Sequence, residues 1–66
     1  MICTIKEGND VNLYAAPDTD AMIVCRIPAG TRVEVDLRRD LGKFCVVYTS
    51  MGAEGFCMRK HIKVEQ

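Results

Sequence analysis

Ile27-Pro28-Ala29-Gly30-Thr31-Arg32-Val33-Glu34-Val35 is the stretch that decides the fold. Pro28 presets one turn angle and Gly30 tolerates an unusual one, so the chain reverses here. From Thr31 to Leu37 apolar and polar residues then alternate. A period of two is the mark of a half-buried β-strand, with Val33, Val35 and Leu37 on its inward side.

The same grammar extends in both directions. Upstream, residues 1–5 alternate as a first strand, Lys6-Glu7-Gly8-Asn9-Asp10 forms a turn, and Val11 and Leu13 face one way with Asn12 and Tyr14 the other. Residues 15–21 are small and polar and make a long irregular loop, after which residues 22–27 re-enter the sheet. Downstream, residues 38–42 are expected to turn. Residues 43–48 and 55–58 should then form a hairpin around 49–54, with Arg59-Lys60-His61 a short helical turn before Ile62-Lys63-Val64. Strand pairing that sets Val47 opposite Gly55 brings Cys45 beside Cys57 on one face. The expected core is Val11, Leu13, Val24, Ile27, Val33, Val35, Val47, Cys57 and Ile62.

So short a set of strands can cover its apolar face only by curling into a small all-β barrel of five to six antiparallel strands. At 66 residues, the chain reads as one domain over residues 1–66. A core this small supports a folded stability of roughly 3 to 5 kcal/mol. Nine basic and nine acidic residues cancel, so no overall field draws the protein to nucleic acid or an anionic membrane. No apolar run approaches the length of a membrane span, and the first residues lack the basic start and apolar run of a secretory signal. Cys3, Cys25, Cys45 and Cys57 form no C-x-x-C or C-x-x-H pair, which is the wrong spacing for structural zinc. Each sits among apolar neighbours and reads first as a buried free thiol, while the even count also permits disulfides, with Cys45 and Cys57 as one candidate pair. Free thiols and the missing export signal point to the cytoplasm, or to an extracytoplasmic site if the segment is part of a longer exported protein.

The ordered set V-N-L-x-x-x-P, G-T-x-V-x-V, G-aromatic and G-x-x-G-aromatic resembles the bacterial Src-homology-3 domain over about residues 11–64. The resemblance implies an SH3-like barrel with a 3₁₀ turn before the last strand. It also implies a non-catalytic module without cofactor or metal, whose shallow groove accepts a peptide, a peptidoglycan cross-bridge or a protein surface. Carried over residue by residue, Phe44 takes the family's G-W position and Phe56 follows the second glycine. Met58 borders the groove, His61 replaces a common tyrosine, and Tyr14 opens the long loop that flanks it. The chain departs from the family in having no tryptophan. In the family, exported members dock wall-degrading enzymes and adhesins onto peptidoglycan, which makes wall or peptide targeting the leading expectation. The alternative is a free-standing intracellular or phage-encoded protein that binds and regulates one protein partner.

Other constellations have plainer explanations. Cys57-x-x-x-His61 could pair a nucleophile with a base, but an inward strand residue and an outer-turn residue face different ways. Gly52-Ala53-Glu54-Gly55 has the spacing of a nucleic-acid clamp, yet strands flank it where that clamp needs helices. Arg38, Arg39, Arg59, Lys60 and Lys63 are interspersed with Asp36, Asp40, Glu54 and Glu65, which favours solvated turns over nucleic-acid binding. Asp10, Asp18 and Asp20 are too sparse for a calcium loop.

Overall fold

The structure, a computed structural model, describes residues 1–65. Seven strands follow one another: β1 (Ile2–Ile5), β2 (Val11–Tyr14), β3 (Ile23–Ile27), β4 (Arg32–Leu41), β5 (Phe44–Tyr48), β6 (Glu54–Met58) and β7 (Ile62–Val64). A 3₁₀ turn, Arg59–His61, joins β6 to β7. All pairings are antiparallel, in the order β3-β2-β6-β5-β4-β1-β7. The count exceeds five or six because the short end segments β1 and β7 pair with each other.

One apolar cluster draws residues from every strand, which shows that the sheet curls on itself. Cys3 and Ile5, Val11 and Leu13, Ile27, Val33 and Val35, Cys45 and Val47, Cys57 and Ile62 meet there. Strands at opposite ends of the sheet can share a core only if the sheet closes towards a barrel. The Cα extents of 29 × 23 × 22 Å fit that shape. Val47 pairs with Gly55 and Cys45 with Cys57, the register the hairpin length implies.

Three local readings change. Val24, expected in the core, is 47% exposed. Leu13 pairs with Cys25 and Tyr14 with Ile23, so Val24 is the extra residue of a β-bulge, on the opposite phase from Ile27. The turn expected over residues 38–42 is mostly strand, because β4 runs on to Leu41. An irregularity between Asp36 and Leu41 absorbs the change of direction, with Asp36 Oδ1 accepting the Arg38 backbone N–H at 2.9 Å. The reversal itself is confined to Gly42-Lys43, with Gly42 at φ +67°, the conformation a two-residue hairpin asks of glycine at its first central position. Finally, Phe44 and Val46 are buried on the outer side of β5, opposite Cys45 and Val47. β5 is therefore covered on both faces.

The thiols follow the inward phase. Cys3, Cys45 and Cys57 are free and fully buried, whereas free Cys25 is half-buried. Hydrogen bonding to Cys45 and burial push the Cys57 thiol up, which keeps it protonated and inert. Iodoacetamide applied to the native protein should therefore alkylate Cys25 alone, the other three reacting only after denaturant is added. A strong reductant should leave the melting temperature unchanged. Equal labelling of all four thiols would contradict the burial.

Candidate functional site

The outer face of β2, β6 and β5 carries an aromatic surface that the barrel core does not contain. Strand alternation puts Tyr14 opposite in phase to Val11 and Leu13, and Phe56 and Met58 opposite to Gly55 and Cys57. Pairing then sets these side chains in rows. Tyr14 lies across from Phe56, Phe56 across from Val46, and Met58 across from Phe44. Tyr14 and Phe44 meet edge to face, with ring centroids 6.2 Å apart and planes at 82°. Val46 is fully buried and Phe44 is 8% exposed, whereas Tyr14, Phe56 and Met58 are half-buried. The accessible surface is thus Tyr14, Phe56 and Met58, with Phe44 and Val46 as its floor.

His61 stands apart from this row. It ends the 3₁₀ turn, and its carbonyl accepts the Lys6 backbone N–H at 2.9 Å, which ties the turn to the β1–β2 connection. Among the described residues no hydrogen bond or ring contact joins it to Tyr14 or Phe44. Partial burial, then the charges of Lys60 and Lys6, hold its imidazole below the ordinary value of 6.5. The unfolded chain therefore takes up the proton more readily, and His61's contribution to stability is present above pH 6.5 and lost as pH falls through its folded value. An NMR titration should place the His61 midpoint below 6.5, and a midpoint above it would contradict this arrangement. Cys57 is sealed in the core with its Sγ donating to the Met58 carbonyl at 3.7 Å, so it presents no surface nucleophile to His61.

Arg59, which the sequence shows only as one of a dispersed basic set, has a structural role beside this face. Its backbone N–H donates to the Lys43 carbonyl at 2.8 Å, its Nε to the Phe44 carbonyl at 3.1 Å, and its Nη2 to the Arg39 carbonyl at 3.2 Å. One side chain therefore straps the 3₁₀ turn to the β4–β5 hairpin. Beside it, Lys43, Met58, Arg59 and Lys60 line a shallow depression of about 320 Å³. The available signal was the Phe44–Met58 pairing, which places residues 43 and 59 side by side.

The sequence that builds this barrel has a counterpart among known families. Residues 9–63 match the family model of the bacterial SH3 domain. The chain belongs to the bacterial SH3 domain family. No curated protein matches the chain. Bacterial SH3 domains are in general non-catalytic binding modules for proteins or peptides. The 3₁₀ turn that the resemblance implied before the last strand is present at Arg59–His61.

Proposed function

We propose that this bacterial SH3 domain binds an extended peptide segment, from a protein or from cell-wall cross-bridges, across Tyr14, Phe56 and Met58. One observation carries the reading: three half-exposed apolar side chains are held in register on a buried floor of Phe44 and Val46. A rigid apolar surface loses little rotamer freedom on binding, and aromatic anchors dominate interface energy. Phe44 supports the surface from beneath, and His61, which stands apart from the row, is left out of it. Affinity should be modest, because a shallow face without tryptophan buries little area against the ordering cost of a flexible ligand.

Met58 is the appropriate probe, being half-exposed where Phe44 is buried. Met58→Ser should weaken binding by about 1 to 3 kcal/mol, the usual cost of removing an anchor, while the melting temperature stays close to wild type. The test is parallel retention on purified peptidoglycan and on cell lysate, with wild type and Met58→Ser. Loss from the wall in the variant supports wall targeting, and loss of a single lysate protein supports a dedicated protein partner. Equal retention of the variant on both would place the ligand surface elsewhere on the barrel.

A further inference from the structure

We infer that the ligand of this surface is acidic: an extended peptide whose carboxylates lie beside an apolar side chain, with the apolar group on Met58 and the carboxylates on Lys43, Arg59 and Lys60. The inference rests on the docking surface proposed above and adds the chemistry of what it takes. The chain as a whole is neutral, yet its charges are not evenly compensated. Among the described residues the ion pairs are the Met1 amino group with Glu34, Arg32 with Glu65, and Arg38 with Asp36. The remaining cations have no such carboxylate partner among the described residues, and three of them, Lys43, Arg59 and Lys60, line one depression.

The acids nearest in sequence make their hydrogen bonds locally. Asp36 accepts from the backbone N–H and the guanidinium of Arg38, and Asp40 Oδ1 accepts the Gly42 N–H at 3.2 Å. Neither forms an ion pair with a cation lining the Met58 depression among the described residues. Arg59 is anchored by two backbone carbonyls, which position its guanidinium without cancelling its charge, and Nη1 makes no protein hydrogen bond among the described residues. A planar fork held in place loses little entropy when it takes a carboxylate. Lys43 and Lys60 are exposed and flank it with compact, mobile charges.

Peptide is favoured over nucleic acid by the rings themselves. Single-stranded nucleic acid is held by bases stacked on open aromatic faces. Here Tyr14 and Phe44 are locked edge to face, and Phe44 is 8% exposed. The surface offers apolar relief and one cationic rim, which suits a carboxylate placed next to an apolar anchor.

The test is fluorescence anisotropy with short labelled peptides alternating glutamate and leucine, serine and leucine, or lysine and leucine, beside a labelled oligothymidylate. Wild type should bind the glutamate peptide about tenfold more tightly than the serine one, the sum expected of a few exposed charge pairs. That preference should shrink as salt rises. The double variant Lys43→Glu, Lys60→Glu should lose it while melting like wild type, since both side chains are exposed. Equal binding of the glutamate and serine peptides overturns the acidic ligand and leaves the docking surface standing. Glutamate-peptide binding that survives Met58→Ser overturns the docking surface and this inference together, as does binding of none of the peptides. Tighter binding of the oligothymidylate overturns the choice of peptide.

Discussion

Gly55→Ala is expected to lower the melting temperature by about 10 °C or more, or to abolish the cooperative transition altogether. In most strands replacing glycine with alanine is neutral or stabilising, because it restricts the unfolded chain. Here the sign reverses. A Cβ on Gly55 would lie 2.7 Å from Leu13 Cγ and 2.7 Å from the Tyr14 carbonyl oxygen. Leu13 is fully buried, and the Tyr14 carbonyl is backbone, so neither yields by a side-chain rotation into solvent. Only separation of β2 from β6 relieves the overlap. These strands meet through the single pairing of Tyr14 with Phe56, so the seam has little to spare. Overpacking of this kind costs about 1 to 3 kcal/mol where side chains can adjust, and more where backbone must move. Against a total of roughly 3 to 5 kcal/mol that is most of the fold. The same seam carries Tyr14 and Phe56, so any variant protein that remains folded should also bind ligand poorly. A melting temperature within a few degrees of wild type would show that β2 and β6 approach less closely than the structure places them.

The register of the hairpin and the inward phase of most strands were legible because each strand is short and one-sided, so alternation has only one solution. Val33, Val35, Leu13 and Val47 sit where the period of two puts them. Val24 obeys the same rule: three residues from Ile27, it falls on the outward phase, so the two could not both belong to the core, and the bulge leaves it as the extra residue of β3. Phe44-Cys45-Val46-Val47 carried a different signal, four consecutive apolar residues, which is the pattern of a strand covered on both faces. Read that way, Phe44 belongs under the surface. Tyr14, Phe56 and Met58 were legible as one outward face because alternation directs them there. The strap made by Arg59 was not, since it runs through the carbonyls of Phe44 and Arg39, and a bond to backbone leaves no mark on the residue types it joins.

Val33→Asp should leave no cooperative melt at neutral pH. Val33 is 3% exposed on β4, opposite Cys3 of β1, inside the one cluster shared by all seven strands. Nothing there can receive a carboxylate, for the cluster around Val33 is made only of apolar side chains and thiols. Burying an unpaired carboxylate costs more than the fold's roughly 3 to 5 kcal/mol, and the group would rather bind a proton or unfold the chain. Its folded pKa would therefore be raised above the unfolded value, so the penalty is full at neutral pH and shrinks as acid protonates the group. Val33→Asn, which is uncharged and has no group to titrate, should show no dependence on acid. The neighbouring Arg32→Asp provides the contrast. Arg32 is on the outer face and 72% exposed in its side chain, and its loss removes an ion pair with Glu65 worth at most about 1 kcal/mol. One residue of displacement along β4 thus separates a lethal substitution from a mild one. A folded Val33→Asp protein at neutral pH, or an Arg32→Asp protein that fails to fold, would mean that the two faces of β4 are exchanged. Every outward assignment made from that phase would then have to be reversed.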